Sequence, residues 1–219
     1  MNLNPRQLAM LDAVRARRTA SVEALAKQFG VTPQTVRRDM KRLAAGGLIN
    51  RFHGGAGVSD STVENIADQE RKRQNQTAKL AIARKVAQAV PEGCSLILNI
   101  GTTTEAIARE LMRHKGLRVI TNNLNVAAIL ADNRDCELIV AGGIVRAPDR
   151  GIVGDATVDF MSQFKVDIAI IGISGIEADG TLRDYDYREV KVSRTIIEHA
   201  RKVWLAADHS KFNRPAMVE

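Results

Sequence analysis

Apolar residues near the start of the chain recur at helical spacing, and this pattern predicts two amphipathic helices. The first covers residues 6–17, and its inward positions are Leu8, Leu11 and Val14. The second is VEALAKQF, residues 22–29, which follows Ser21 as a hydroxyl N-cap. Gly30 and Val31 separate it from the next periodic segment. A helix, a short glycine-containing turn and another helix form the helix-turn-helix arrangement.

A third helix is predicted to begin at Thr32 and Pro33. A hydroxyl N-cap followed by proline at the first helical position is a typical helix start. The apolar stripe of this helix consists of Val36, Met40 and Leu43. The opposite side of the helical wheel carries Gln34, Arg37, Arg38, Lys41 and Arg42. The segment therefore has one face suited to burial and one basic face.

A basic hairpin is predicted directly after this helix. Residues 48–52 follow Gly46 and Gly47 and alternate weakly between apolar and polar, like a short strand. Arg51 and His53 then lead into a tight turn at residues 54–55. A basic-faced helix followed by a basic hairpin has the layout of a recognition helix with a wing on the phosphates. The alternative for the basic face alone is a solvated helix surface.

From residue 78 onward, short apolar runs alternate with amphipathic segments. The predicted helices cover residues 78–89, 102–114, 125–130, 155–164 and 187–200. The predicted strands cover residues 95–100, 119–121, 138–141, 168–171 and 203–206. Such alternation predicts a Rossmann-like, mostly parallel sheet with helices on both faces. Ligands of these sheets bind beyond the carboxyl ends of the strands.

The loop after the first of these strands is a candidate anion site. It contains Gly101, Thr102, Thr103 and Thr104 and opens the next helix. The glycine permits close approach of a ligand, and a helix N-terminus presents unpaired N–H groups at the positive end of the dipole. The alternative is a capping box, because Thr102 and Glu105 have the required spacing.

Polar and glycine residues also follow the later strands. They are Asn122, Asn123, Gly142, Gly143, Ser174, Gly175, Asp208, His209, Ser210 and Lys211. Each of these loops, taken alone, is compatible with ordinary turn chemistry. Their recurrence after successive strands favours one ligand site, at which the Lys211 cation would face an anion.

The positive charge of the chain lies at its N-terminus. The net charge is +7, from 32 Lys and Arg against 25 Asp and Glu. Residues 1–59 hold ten basic and three acidic side chains, so the remaining 22 basic and 22 acidic residues cancel. This asymmetry indicates a nucleic-acid-binding module joined to a neutral globular one.

Several other classes of function lack the required sequence features. Cys94 and Cys136 are neither in a CxxC motif nor near a histidine cluster, so we predict no metal site. Dinucleotide and nucleoside triphosphate motifs are absent, and we predict no cofactor. No apolar run reaches membrane-spanning length and no signal segment opens the chain, which predicts a cytoplasmic protein.

Particular motifs resemble a known family. TVRRD at residues 35–39 with Leu43, and HGGA at residues 53–56, resemble the winged helix-turn-helix of the DeoR-type sugar-catabolism repressors. The resemblance continues through IGTTT (100–104), TNNLNV (121–126), AGG (141–143), GISGI (172–176) and DHSKF (208–212). It implies an effector domain similar to ribose-5-phosphate isomerase that binds a phosphorylated metabolite without turning it over.

The resemblance and the basic face together imply two sets of binding residues. The set for operator DNA is Gln34, Thr35, Arg37, Arg38, Lys41, Arg42, Arg51 and His53. The set for the effector is Gly101, Thr102, Thr103, Thr104, Asn122, Gly143, Gly175, Glu189, Asp208 and Lys211. Within it, the threonine loop would hold the phosphate, and Glu189 would be a polar contact or a switch residue.

We therefore predict a two-domain repressor that binds operator DNA as a homo-oligomer and is released by a small phosphorylated effector. Glycerol 3-phosphate or another sugar phosphate is the implied effector. The predicted domains are a winged helix-turn-helix at residues 1–57 and an effector domain at 79–219. Residues 58–78 form the linker, whose charged part, 63–76, is compatible with a helix or a mobile connector.

Two further expectations accompany this prediction. The rival function is a sugar-phosphate isomerase with a basic appendage, against which stands the lack of an acid–base pair beyond Asp208, Lys211 and Glu189. Members of the resembled family continue past the region of Phe212 with another strand and helix. We therefore expect a fragment, or a sheet that lacks an edge element.

Overall fold

The computed structural model describes residues 3–17, 19–46, 48–52, 54–57 and 68–219. These residues divide into two compact units. The first holds the described residues up to 57 together with residues 69–74, and the second holds Asp68 and residues 75–219. Of the predicted linker, residues 58–67 lie outside the described part of the chain.

The first unit is a small helical domain with a three-stranded antiparallel sheet. Its elements, including the helix that spans the division between the units, are α1 (Pro5–Arg17), β1 (Thr19–Ser21), α2 (Val22–Phe29), α3 (Pro33–Ala45), β2 (Asn50–Phe52), β3 (Gly55–Gly57) and α4 (Asp68–Arg73). Strand β3 lies between the other two, so that Ala56 pairs with Ala20 on one side and Arg51 on the other. The Val22 amide donates to the Gly54 carbonyl at 2.9 Å, which ties the turn of the wing to the start of α2.

The core of this unit confirms the apolar stripe of α3 and corrects that of α1. Val36, Met40 and Leu43 are fully buried, as their spacing predicts. Leu8, in contrast, is 48% exposed, and Met10 is buried with Leu11 and Val14. The prediction for Leu8 was wrong because α1 turns its Gln7 side chain inward, where it donates a hydrogen bond to α3.

The second unit contains the predicted alternation of strands and helices. In chain order its elements are α5 (Gln76–Ala89), β4 (Ser95–Leu98), α6 (Thr102–Glu110) with a 3₁₀ turn (Leu111–Arg113), β5 (Leu117–Thr121), α7 (Leu124–Leu130), β6 (Cys136–Val140), β7 (Ile144–Arg146), β8 (Gly151–Val153), α8 (Asp155–Met161), β9 (Val166–Ile171), β10 (Gly175–Ile176), β11 (Leu182–Arg183), α9 (Tyr187–Glu198), β12 (Ala200–Leu205) and a 3₁₀ turn (His209–Lys211).

Five of these strands form one parallel sheet in the order β12-β9-β4-β5-β6. Side chains on successive residues of β4 point to opposite faces. Leu96 and Leu98 pack with α5, α6 and α7, whereas Ile97 packs with α8 and α9. Because helices cover both faces, the inner strands β9, β4 and β5 are mostly apolar and buried, as in other parallel sheets, whereas the edge strands β6 and β12 are exposed or half-buried.

Two short antiparallel pairs were not anticipated from the sequence. The hairpin β7–β8 follows β6, and β10–β11 follows β9. Strands of two or three residues are too short to show a period of two. Both pairs follow the carboxyl ends of the main strands, at the edge where the sequence places the ligand site.

Candidate DNA interface and effector site

The predicted basic face of α3 is exposed. Thr32 caps the helix, accepting a hydrogen bond from the Thr35 amide at 3.3 Å, and the two hydroxyls are 3.0 Å apart. Thr35 therefore belongs to the cap of α3 as well as to its outer surface. The exposed side chains on the remaining predicted positions are Gln34, Arg37, Arg38, Lys41 and Arg42. Arg51 is exposed on β2, and His53 lies outside the described residues.

A buried carboxylate fixes the inner side of α3. Asp39 accepts from Arg6 Nε at 2.9 Å and from Gln7 Nε2 at 2.8 Å. The Gln7 side chain also accepts from the Asn4 amide, while Asn4 Oδ1 accepts from the Gln7 amide, so the pair caps α1. The sequence did not lead us to predict a structural role for Asp39, although its position next to Met40 of the buried stripe indicated burial.

The threonine loop lies between β4 and α6 in a form that excludes the capping-box interpretation. Gly101, and not Thr102, is the N-cap, and it makes no side-chain cap. Glu105 is buried and accepts a hydrogen bond from Asn125 Nδ2 at 2.9 Å. The Thr104 hydroxyl lies 2.7 Å from the Gly101 carbonyl and 2.8 Å from the Asn99 carbonyl, and so shapes the loop. The first-turn amides of α6 have no intrahelical partners.

The end of the adjacent strand β5 holds two buried amides with unpaired atoms. Asn122 Nδ2 donates to the Ile152 carbonyl, while Asn122 Oδ1 has no hydrogen-bond partner. Asn123 Oδ1 caps α7, while Asn123 Nδ2 has no partner. Buried polar groups are nearly always paired, and each exception calls for an explanation. Both atoms lie at the carboxyl end of β5, at the edge where the sequence predicts the ligand site.

The glycines predicted to contact the effector are also required by packing. Gly143 has φ +143°, and a Cβ there would collide with Thr157 Oγ1. A Cβ at Gly175 would collide with the Arg214 carbonyl. The loops after β4 and β9 also approach each other, because a Cβ on Gly172 would lie 3.3 Å from the Ile100 carbonyl.

Asp208 and Lys211 lie after β12, at the same edge of the sheet. Asp208 Oδ1 accepts from the Ser210 amide and from Asn75 Nδ2, both at 2.9 Å. Burial of Asp208 favours its neutral form, but the hydrogen bonds from Ser210, the charge of Lys211 and the Asn75 contact together lower its pKa. Asp208 is therefore a buried carboxylate close to a cation.

Glu189 belongs to a cluster of charges that sequence reasoning did not find. Arg146 on β7 donates to three carboxylates. They are Asp149, Asp186 at the N-cap of α9, and Glu189 within α9. Burial raises the pKa of Glu189 to about 8, and the charge of Asp184 acts in the same direction, although Arg146 opposes it. The cluster fastens the β7–β8 hairpin to α9. A lone arginine in a loop gave no sequence signal.

Metal binding has no support in the described part of the chain, where no group of His, Cys, Asp and Glu side chains is arranged as a metal site. Cys94 and Cys136 are free thiols, and burial raises the pKa of both. The helices of the described segments are too short or too polar to traverse a lipid bilayer.

Comparison with known protein families decides the identity of both units. Residues 6–62 match the DeoR-like helix-turn-helix domain, and residues 74–219 match the DeoR C terminal sensor domain. The chain belongs to the DeoR family. With a helix-turn-helix domain followed by a sensor domain, and repressors among its similar relatives, this DeoR-family chain is a DNA-binding transcriptional repressor.

Three curated relatives of this DeoR-family repressor are similar over most of its length. The glycerol-3-phosphate regulon repressor of Escherichia coli K12 is 48% identical over 218 residues, which cover 100% of this chain and 86% of the relative. That of Haemophilus influenzae is 50% identical over 198 residues, covering 90% and 77%. The transcriptional repressor CsqR of Escherichia coli K12 is 41% identical over 216 residues, covering 99% and 82%.

Among solved structures, ribose 5-phosphate isomerase A of Methanocaldococcus jannaschii matches 64% of the DeoR-family chain at 17% identity and a TM-score of 0.47. The match spans 55% of the isomerase chain. The crystallised sorbitol operon regulator SorC of Klebsiella pneumoniae matches 71% at 13% identity and a TM-score of 0.34. These similarities are too low to carry an argument about activity.

Proposed function

We propose that this repressor controls genes of glycerol and glycerol 3-phosphate catabolism and leaves its operator when a small phosphorylated effector binds. The observation that carries the proposal is the 48% and 50% identity to two relatives named for the glycerol-3-phosphate regulon. The exposed basic face of α3 and the polar edge of the parallel sheet support the proposal as candidate sites for DNA and for effector.

The proposed DNA interface consists of α3 in the major groove and the wing beside it. Arg38 lies opposite the buried stripe, and arginine bound in the groove reads guanine through two hydrogen bonds. Gln34, Thr35, Arg37, Lys41 and Arg42 share the helix with it, while Arg51 and His53 of the wing meet the phosphates. A homo-oligomer would place two such interfaces on paired half-sites.

The proposed effector site is the carboxyl edge of the sheet. The first-turn amides of α6, with Thr102 and Thr103, would hold the phosphate, as helix N-termini do for anions. Gly101 and Thr104 shape this loop, and Gly143 and Gly175 allow the neighbouring segments to pack closely. Asn122, Asp208 and Lys211 would meet the polyol and the phosphate charge. Glu189 would act through Arg146, as a switch at the β7–β8 hairpin.

A binding role, and not isomerase activity, fits the relatives of this chain, which are named as repressors. In this role the ionised Asp208 would accept hydrogen bonds from the effector, and Glu189 would hold Arg146. We propose that neither serves as an acid–base catalyst, and that the protein acts on DNA in the cytoplasm. Measurable turnover of ribose 5-phosphate by the purified protein would contradict this assignment.

The proposal is tested by operator binding with and without effector. Fluorescence anisotropy on the gene's own upstream DNA should show binding that glycerol 3-phosphate weakens and glycerol does not. Arg38→Ala should weaken operator binding by about 1–3 kcal/mol. Arg134→Ala removes an arginine that is also exposed, from the other unit, and should have little effect. Equal losses in both variants would show that charge, and not recognition by α3, governs binding.

A further inference from the structure

Asn75 occupies an unusual position at the start of α5. Its backbone is left-handed, with φ 51° and ψ 35°, and it is the N-cap residue of the helix. Asparagine is among the preferred N-cap residues, yet the Asn75 side chain makes no cap hydrogen bond. It reaches Asp208 instead, with Nδ2 at 2.9 Å from Oδ1. The side chain therefore fastens the start of α5 to the proposed effector site.

The preceding residue, Gln74, is fastened to a different part of the molecule. Its Nε2 donates to the Gly46 carbonyl at 3.0 Å, and Gly46 is the C-cap of α3. Gln74 belongs to the DNA-binding unit and Asn75 to the sensor unit, so the chain passes finally from the first unit to the second at the peptide bond that joins them. Each of the two hydrogen bonds lies within its own unit.

We propose that the dipeptide Gln74–Asn75 is the joint that transmits effector binding to the recognition helix, with Asn75 as a positioning residue for Asp208. The inference rests on the proposed function, because it takes the Asp208 carboxylate as part of the effector site. It adds the route by which occupancy of that site reaches α3.

The chemistry of Asp208 gives the direction of the effect. A carboxylate oxygen has two lone pairs in good hydrogen-bonding directions, and Oδ1 already accepts from the Ser210 amide and from Asn75. A polyol hydroxyl that donates to Oδ1, and not to Oδ2, competes with these two donors and displaces one of them. The Ser210 amide is held by the 3₁₀ turn that Asp208 caps, so the side chain of Asn75 is the one released.

Release removes a restraint on the backbone. The left-handed conformation is unfavourable for residues other than glycine, although asparagine tolerates it better than most. Once the bond to Asp208 is lost, Asn75 is free to leave this conformation, and the chain direction into Gln74 changes. Effector binding and operator binding then oppose each other, as linkage requires for an inducer.

The test is Asn75→Gly, which removes the amide but suits the left-handed backbone. Without effector, its operator affinity should be about tenfold below that of the parent, the lower end for a hydrogen bond to a charged group. Glycerol 3-phosphate should reduce it little further. Asn213→Gly is the matched control, since Asn213 is also a left-handed asparagine of the sensor unit, with φ 55°, and it should behave like the parent.

A double-mutant cycle with Gln74→Ala tests whether the two residues act as one joint. If they do, the loss of operator affinity in the double variant should be clearly smaller than the sum of the two single losses. Additive losses, or unchanged effector-free operator binding in Asn75→Gly, overturn the inference. Neither readout needs an effector. A parent that binds operator but ignores glycerol 3-phosphate contradicts the proposed effector alone, and the cycle still decides whether the joint exists.

Discussion

At the scale of single residues, Asp39 shows how a charged side chain can be structural within a DNA-binding helix. It is 2% exposed and lies on the buried face of α3. Arg6 and Gln7 both donate to it, and Gln7 also takes part in the cap of α1. These contacts connect the start of α1 to the middle of α3, and so help to set the position of the helix that carries the basic face.

Asp39→Ala should lower the free energy of unfolding of the DNA-binding unit by about 1–3 kcal/mol, because the buried Gln7 amide loses its acceptor and Arg6 loses its counterion. Urea unfolding followed by far-UV circular dichroism measures the change. Asp12→Ala, at an exposed position of α1, is the control and should stay within about 0.5 kcal/mol of the parent. Identical unfolding midpoints for the two variants would show that Asp39 does not stabilise the DNA-binding unit.

At the scale of elements, the N-terminus of α6 carries the proposed phosphate site. Thr102→Val keeps the shape of the side chain but removes its hydroxyl. It should weaken binding of glycerol 3-phosphate by about tenfold to a hundredfold, as expected for a hydrogen bond to a charged group. Operator affinity without effector should persist. Titration calorimetry measures the effector affinity of both proteins.

Glycerol provides the control for this experiment, because it offers the helix terminus no charge. Its binding should be undetectable in the parent under the same conditions. If Thr102→Val binds glycerol 3-phosphate as tightly as the parent, the Thr102 hydroxyl is not part of the effector site. If the parent binds glycerol as tightly as glycerol 3-phosphate, the site does not recognise the phosphate.

The packing of the β7–β8 hairpin on α9 should make stability depend on pH. Burial raises the pKa of Glu189 to about 8, above its ordinary value of 4.5. A raised folded-state pKa means that this residue's contribution to stability is fully present below the unfolded pKa and is lost as pH rises through the folded pKa. Asp186 affects stability at lower pH. Burial favours its neutral form, but hydrogen bonds from Arg188 and Arg146 lower its pKa to about 2.

Glu189→Gln should therefore remove part of the loss of stability between pH 5 and pH 8. The glutamine amide oxygen still accepts from Arg146, but it has no proton to lose. Thermal unfolding of both proteins at constant ionic strength across this range is the measurement. If the melting temperatures of parent and variant change with pH in the same way, Glu189 ionises normally in the folded protein.

At the scale of the whole molecule, the distribution of charge governs how operator binding responds to salt. Residues 1–59 carry a net +7, while the rest of the chain has 22 basic and 22 acidic side chains. Each neutralised phosphate releases counterions and contributes about −0.9 to the slope of log K against log salt concentration. A homo-oligomer with several phosphate contacts per subunit should therefore give a steep negative slope.

Anisotropy titrations at several salt concentrations measure this slope. Lys41→Ala, which removes one exposed cation from α3, should make it shallower by about 1 if Lys41 meets a phosphate. Lys202→Ala removes an exposed cation from the sensor unit and should leave it unchanged. A flat dependence in the parent would contradict binding through the basic face of α3.

The sequence by itself determined the features that depend on local chemistry and periodicity. Thr32 and Pro33 fixed the start of α3, and Ser21 that of α2, because a cap needs only a side chain close in sequence. The apolar stripe of α3 and the five strands of the parallel sheet follow from periods of 3.6 and from short apolar runs. The placement of the candidate ligand residues at one edge follows from the direction of parallel strands.

The tertiary structure decided which distant polar residues meet. Arg6 with Asp39, Arg146 with Glu189 and Asn75 with Asp208 are separated by tens of residues in the chain or more, and no local pattern connects them. Packing likewise turned Gln7 inward and left Leu8 outside. Charged and amide side chains gain most from partners when burial removes water. Their partners are therefore set by the folded arrangement of elements, which periodicity alone does not specify.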